Sequence, residues 1–525
     1  VLAVALATMV GVPAASAAAS PATASSAAVS RAVAHPGPVV NVAHQAAIRV
    51  MRAFEARAAA RLHPHQAMSQ PSLAGTATRA PFRTITNVQS VSRDTLPAPS
   101  SAEIEPDTQV EPDVAIDPGN PKVITAAFQE GRNGPFGGAQ GAGYTTSQDG
   151  GRTWASGNLP FLTTATGGPF QLASDAAVAF GPDDSAYAQT IPFDETDPRS
   201  AVAVQRSADG GVSFGRPSLV VDDDNVKVFN DKNWIVVDNF RASPHFGRIY
   251  TVWSRFIQTG SGNNAVVHSP GAVSFSDDQG KTWSPLRFIS APTADTEGLI
   301  PLVHPDGSVT VVYDLTDPKA NKDFETAQTS HDGGLTWSKP VTIGQFLGSG
   351  VPGMRTGGLP AAAIDPVTGK MYVTWQDTRF NPSGLNDIVL SVSADGGQTW
   401  SAPRMVDPKV AGLDRFTPAV AANNGAVIVS YRTRGANGTA PTVTENYVAS
   451  GNGGRTFGFE RQVGPPSVLK WAAVSIEGAP PVAFYGDYMG LAMTRDTAEL
   501  IWCRSAAPPV TGKFHQTAWG ATVTR

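Results

Sequence analysis

Between residues 113 and 523 the chain is a succession of short apolar runs separated by polar, glycine-bearing turns. Most runs alternate apolar and polar positions. Successive side chains of a strand point to opposite faces, so a period of two predicts strands with one buried face. The runs come in pairs. They read "DVAID…KVITAAFQ" (113–129), "DAAVAF…SAYAQTI" (175–191), "NWIVVD…RIYTVWSRF" (233–256) and "LIPLVHPDGSVTVVYD" (299–314). They continue with "PAAAIDPVTGKMYVTWQD" (360–377), "PAVAANNGAVIVSYR" (418–432) and "MGLAMTRDTAELIWCRS" (489–505). The links "DPVTG" and "ANNGA" have the chemistry of hairpin turns. The class is all-β.

After each of the first six pairs comes an eight-residue pattern, Ser-x-Asp-x-Gly-x-Thr/Ser-Trp/Phe. It appears as "SQDGGRTW" (147–154), "SADGGVSF" (207–214), "SDDQGKTW" (276–283), "SHDGGLTW" (330–337), "SADGGQTW" (393–400) and "SGNGGRTF" (450–457). The copies start 60, 69, 54, 63 and 57 residues apart. A recurring unit of this kind signals a repeat architecture. Strand-like runs flank each copy, so each is a hairpin loop. The Asp accepts bonds from its own turn, the Gly allows a positive φ, and the aromatic folds back over the turn. The last copy has Asn452 for Asp, which keeps the same turn. These residues are assigned structural work only.

This pattern resembles the Asp-box, or BNR repeat, of sialidase-like β-propellers. The resemblance implies four-stranded blades with each box between the third and fourth strands, on the face away from the substrate site. The paired runs then predict seven blades, with six as the alternative. The seventh blade lacks a fourth strand, and "PFRTITNVQSV" (81–91) is the segment to supply it and close the ring. The predicted propeller therefore covers 81–525.

The stretch before it has a different character. Residues 1–18 are an apolar run ending in Ala15-Ser16-Ala17, a signal-peptide pattern that implies secretion. Residues 19–80 are an Ala/Ser/Pro-rich leader with little to build a core. Inside it, Val42, Ala46, Val50, Phe54, Ala58 and Leu62 recur every four residues, which predicts a short amphipathic helix over 41–62. The leader is basic: residues 1–100 carry a net +6 and the remainder −11. An acidic body argues against nucleic acid as a partner. No later run is long enough to span a membrane. The single Cys503 allows no internal disulfide. A monomer is expected.

Propeller geometry says where chemistry gathers. Loops before the first strand and after the second strand of each blade meet at one mouth of the central channel. Glu111, Asp113, Asp175, Asp231, Lys232, Trp234, Glu297, Arg355, Arg415, Tyr485, Asp487 and Tyr488 precede inner strands. Carboxylates, arginines and tyrosines around one funnel suit a glycan, acidic sugars included. Glu297, Arg355, Arg415 and Tyr485 also stand in the order of the sialidase residues. The resemblance thus implies Glu297 and Tyr485 as catalytic groups, and Asp487, at the mouth beside Tyr485, is the third catalytic candidate. The resemblance also implies Arg355 and Arg415 as substrate-binding groups, with Glu111, Asp113, Asp175 and Tyr488 beside them. "AAFQEGR" (126–132) is similar to a sialidase segment, but the family's Arg-Ile-Pro motif is replaced by Val110-Glu111-Pro112. Three functions stay open: a glycosidase of sialidase type or with an altered acidic-sugar substrate, a polysaccharide lyase, and a non-catalytic glycan- or protein-binding propeller. No cofactor is implied with certainty. Ca²⁺ is the one ion the acidic loop 221–234 could hold, through Asp222, Asp224 and Asp231.

Overall fold

The computed structural model describes residues 72–75 and 81–525, apart from 136, 436–440, 476–480 and 510–513, together with Gln45 and Met68. By contacts the chain divides into residues 1–38 and 39–525, and every described residue lies in the second unit. The signal-like run and, but for Gln45, the helix read over 41–62 lie outside the described residues.

The described residues form an all-β structure whose strands are arranged as a β-propeller. The unit is an antiparallel meander. Ile104–Ile116 pairs with Ile124–Asn133, which pairs with Ala139–Ser147 and then Ala155–Asn158. The same order repeats from Leu172–Phe180 to Ser218–Asp224 and from Asp295–Val303 to Val341–Phe346. It repeats again from Ala361–Ile364 to Arg404–Met405 and from Leu413–Asn423 to Arg461–Val468. The meander from Val228–Val237 to Arg287–Phe288 carries an extra short strand, Val266–His268, against its second strand. Gly490–Met493, Thr497–Ser505 and Gln516–Thr524 make three strands of a further sheet. Its outer strand comes from the other end of the chain: Thr84–Ser90 pairs antiparallel with Gln516–Thr524, Thr84 opposite Thr524. Backbone pairing between neighbouring meanders includes the single residue pairs Ala139 with Ala173, Thr108 with Gln516 and Ser269 with Asp295.

Apolar faces of adjacent meanders pack on each other, so the core is a set of layers between sheets. Trp375, Met371 and Val389 pack against Ile300 and Val312 of the preceding sheet, for example. The body also takes in part of the stretch read as leader. Leu73 is buried with Val406 and Phe457. Its N–H donates to the Met405 carbonyl at 2.9 Å, and its carbonyl accepts from Phe457 N–H at 2.9 Å. This short piece bridges the outer edges of two neighbouring sheets.

Each box forms the turn between third and fourth strands. In the first, Asp149 Oδ1 accepts from Thr153 N–H at 2.9 Å and Oδ2 from the Thr153 hydroxyl at 2.7 Å. Ser147 Oγ accepts from Gly151 N–H at 2.9 Å. The others repeat this arrangement, and Gly397 at φ 85° shows why the second glycine is required.

Candidate functional site

The start of the inner strand carries a recurrent irregularity. Register shifts fall between Val110 and Asp113, Ser174 and Ala177, Asp231 and Trp234, Glu297 and Ile300, and Phe416 and Ala419. One residue in each interval has a left-handed φ: Glu111 (56°), Asp175 (49°), Lys232 (40°), Gly298 (67°) and Thr417 (48°). These are β-bulges, which re-aim side chains and concentrate next to functional sites. Non-glycine residues at such φ cost about 1–3 kcal/mol each and persist where their surroundings over-determine them. Gly486 (φ 114°) occupies the corresponding place before Asp487. A Cβ there would lie 2.7 Å from Glu111 Cγ, so Glu111 and Asp487 can approach only across a glycine.

The re-aimed side chains gather in one region, several of them bonded in a chain. Arg355 Nη2 lies 2.7 Å from Asp487 Oδ2, both side chains being 6% exposed. Asp487 N–H donates to Glu111 Oε1 at 3.1 Å. Gln129 Nε2 donates to Glu111 Oε2 and, at 3.1 Å, to Ser174 Oγ, which in turn donates to Asp175 Oδ2 at 2.8 Å. Lys232 Nζ lies 3.8 Å from the ring centroid of Tyr488 and 4.3 Å from that of Trp234. Those two rings meet edge to face at 5.3 Å. Ser254 Oγ donates to Glu297 Oε2 at 3.0 Å. Arg132 and Arg355 each sit 4.7 Å over the Phe484 ring.

A cavity of about 350 Å³ opens from this cluster. Asp113, Lys232, Asp487 and Tyr488 line one end, and apolar residues of the inner strands line the rest. Lys232 Nζ and Asp487 Oδ1 are buried and have no hydrogen-bond partner among the described residues.

Six carboxylates, those of Glu111, Asp113, Asp175, Asp231, Glu297 and Asp487, share this region with Lys232 and Arg355. Burial raises Glu111 well above the ordinary carboxylate range, and the charges of Asp175 and Asp487 add to it. Burial does the same to Asp231, with Asp175 and Glu297 adding. Burial also raises Asp175. Glu297 is pushed up to about 8, chiefly by burial, against the Ser254 hydroxyl bond. Asp113 reaches about 7 for the same first reason, against the bond from Val178 N–H. Burial lowers the Lys232 ammonium, while Asp175, Glu111, Asp113 and Asp487 pull the other way. Such a set holds protons at neutral pH and can deliver them.

The BNR/Asp-box repeat model matches residues 274–285 and 328–339. The chain carries BNR/Asp-box repeats. No curated protein matches it. Among solved structures it is similar to the Hadza microbial sialidase Hz136 at 14% identity, covering 67% of this chain and 66% of that one, TM-score 0.44. The α-L-arabinofuranosidase Arb93A from Fusarium graminearum, in complex with an iminosugar inhibitor, is 16% identical over 67% of this chain and 93% of its own, TM-score 0.42. The intramolecular trans-sialidase from Ruminococcus gnavus, in complex with oseltamivir carboxylate, is 14% identical over 81% and 96%, TM-score 0.37. The chain thus spans just under two thirds of the first of these.

Of the residues singled out in the sequence, the Asp-box chain brings Glu111, Asp113, Asp175, Asp231, Glu297, Arg355, Asp487 and Tyr488 together. Arg355 arrives by an unforeseen route. Met354–Arg355 pairs in parallel with Val482–Phe484, which also pairs with Val474–Ser475, in a small separate sheet.

Arg415 is elsewhere. It is fully buried, 3.1 Å from Asp407, 3.6 Å from Glu460 and 3.8 Å from Asp387. It stands two residues before the left-handed Thr417, the same step that separates Gln109 from Glu111 and Asn230 from Lys232. Gln109, Asn230 and Arg415 are all fully buried, Gln109 donating to Glu130 and Asn230 bonded to Ser200 and Trp253. Tyr485 is also outside the cluster. Its hydroxyl bonds Ser505 Oγ at 2.6 Å, and its ring packs with Met354, Phe416 and Cys503 under Arg432.

The acidic loop does not gather into a cation site. Asp222 is paired with Arg199 at 2.8 Å, and Asp223 with Arg255 at 2.6 Å. Asp224 is exposed on the strand edge and Asp231 belongs to the mouth. Among the described residues no three His, Cys, Asp or Glu side chains form a metal-holding group. No helix among them is long and apolar enough to cross a membrane. Gln129, Ser174 and Ser254 were not singled out in the sequence. Only Gln129 had a signal, its place in "AAFQEGR".

Proposed function

We propose that this chain is a glycoside hydrolase that works at the mouth of a seven-bladed propeller. One observation carries the reading: a buried carboxyl that keeps its proton at neutral pH, Glu297, shares the field of Asp175 and Lys232 with an arginine-paired carboxylate, Asp487, that lines the cavity. Glu297 acts as the general acid. It gives its proton to the glycosidic oxygen as the bond from that oxygen to the anomeric carbon breaks. Asp487, held by Arg355, takes the proton of the water that attacks the same carbon. Asp175 and Lys232 fix the field between them.

The seven-blade count is supported by the cavity lining. Val114, Val178, Trp234, Ile300, Ala362, Val420 and Leu491 each come from a different inner strand and surround one channel. We also propose that the protein is secreted and monomeric, with its signal sequence in residues 1–18.

The substrate we favour is a neutral sugar. An exo-sialidase, or a relative with another acidic sugar, needs an arginine fork for the carboxylate. Arg355 already binds Asp487, Arg415 is locked among three acids, and carboxylates outnumber the cations. A lyase would need the same fork. The test is a hydrolysis panel of neutral and acidic oligosaccharides with wild type and Glu297→Gln. Glu297→Gln removes the transferable proton and should lower kcat by about 10²–10⁴ while leaving binding intact. Wild-type kcat should fall as pH rises through about 8, where Glu297 loses its proton. Full activity of Glu297→Gln, or release of sialic acid as the main reaction, refutes the reading.

A further inference from the structure

A second cavity of about 350 Å³ lies outside the cluster just described, lined by Ser90, Asp94, Asp107, Arg504, His515 and Trp519 among others. It is on the same face as the mouth. Ser90 ends the strand that pairs with Gln516–Thr524, and Arg504 and His515 sit where the Thr497–Ser505 strand ends and its partner begins. These are the strand ends opposite the box turns. Asp107 belongs to the strand that carries Glu111. Asp113 of the same strand lines the mouth cavity, and six residues of strand span at most about 20 Å, so the two cavities are a few sugar rings apart.

The groups in this pocket are held in place. Trp519 Nε1 donates to Thr517 Oγ1 at 3.2 Å, and the Arg504 guanidinium lies 4.5 Å over the indole ring. Arg504 Nε donates to the Pro465 and Pro466 carbonyls at 3.2 Å each, so the guanidinium cannot swing away. Asp94 accepts from Leu96 N–H at 2.9 Å and from Asp107 N–H at 2.8 Å. Asp107, at φ 57°, pairs with His515 Nδ1. Arg93 stands exposed at the edge. Fixed acceptors and fixed donors therefore share the pocket with an aromatic ring. An anionic ligand would meet Asp94 and Asp107, and a cationic one would meet Arg93 and Arg504. A neutral polyol, whose hydroxyls both donate and accept, satisfies both sets.

We propose that this pocket is an outer subsite that binds a neutral sugar unit of the same glycan, several units from the bond being cut. The inference rests on the glycan reading of the mouth and adds that the substrate is an oligomer or polymer.

Calorimetry in the Glu297→Gln background tests it, because binding is then read without turnover. The probes are gluco-, galacto-, xylo- and arabino-oligosaccharides from disaccharide to hexasaccharide. The hexasaccharide of the preferred series should bind roughly tenfold or more tighter than its disaccharide. Arg504→Gln and His515→Ala should remove most of that gain and leave disaccharide affinity unchanged. Arg93→Ala, an exposed substitution with no folding risk, should remove part of it. Equal affinity for short and long chains overturns the subsite, as does an equal loss for both in the variants. Length-dependent binding that the variants abolish, in a wild type that hydrolyses nothing, keeps the subsite and removes the enzyme. If no glycan binds, both readings fall.

Discussion

Asp395→Ala isolates what an Asp-box contributes. Asp395 Oδ1 accepts from Thr399 N–H at 3.0 Å and from Ser393 Oγ at 2.9 Å, and Oδ2 accepts from the Thr399 hydroxyl. Alanine removes all three bonds. Bonds to a charged acceptor contribute about 1.5–3 kcal/mol when sheltered. This turn is open to water, which replaces much of each bond, so the expected loss is about 1–2 kcal/mol in total. The protein contains its own control. In the sixth box Asn452 Oδ1 accepts from Thr456 N–H at 3.0 Å and Ser450 Oγ at 2.9 Å, while Nδ2 donates to the Thr456 hydroxyl at 2.8 Å. Asp395→Asn can copy that pattern and should cost well under ~1 kcal/mol. The Thr399 bonds hold Asp395 below its ordinary range. Its ionic contribution is therefore full above about pH 4 and lost as pH falls through the folded value. Urea titrations followed by tryptophan fluorescence at pH 5 and pH 2.5 read both effects. The reasoning fails if the asparagine variant is as unstable as the alanine variant, or if the gap between wild type and Asp395→Asn is unchanged at pH 2.5.

Two further outcomes follow from burial and charge. Leu73→Ala should lower stability by about 2–3 kcal/mol, near the low end for a buried leucine because the site lies at a sheet edge. A thermal shift indistinguishable from wild type would show that the segment only rests on the surface. Stability should peak near pH 4–5. Burial raises Asp113 to about 7 and Glu297, Glu445 and Glu499 to about 8, so the folded state keeps protons that the unfolded chain loses above about pH 4. That stability is lost as pH rises through 7–8. On the acid side, the bonds from Thr153 and Thr282 hold Asp149 and Asp278 at about 2, and their contribution fades as pH falls toward that value. A thermal midpoint that rises steadily from pH 5 to pH 9 contradicts this.

The box turns were legible because each residue type there has one local task at a fixed spacing. Ser, Asp and Thr bond each other within eight residues, and no distant element is needed to place them. The mouth was legible only in part. Being near the start of an inner strand was enough for Glu111, Asp175, Glu297 and Asp487. It was not enough for Arg415, because side-chain direction alternates and a bulge changes the count. The bulge has no sequence mark here. Its left-handed residue is Glu, Asp, Lys or Thr at four of the five and Gly at one, so composition does not reveal which neighbour turns inward. Arg355 was placed by a long-range parallel pairing with Phe484 that no local pattern encodes. Leu73 is one apolar residue in a Ser-Leu-Ala-Gly stretch, and its burial depends on a groove made more than 300 residues later, by Met405 and Phe457.

The strand at Thr84–Ser90 has a consequence in time as well as in space. Its partner, Gln516–Thr524, is made more than 400 residues later. While the intervening residues are made, the early strand therefore waits with its backbone groups unpaired. Closing so long a loop adds only slowly growing entropy, but the contact cannot begin to form until Gln516–Thr524 has been made. Unpaired edges in a waiting chain invite the wrong partner, including the same edge of another copy. The step that closes the ring is thus where yield of folded protein is decided. Substitutions in Thr84–Ser90 should change the amount recovered from expression more than the melting point of what is recovered.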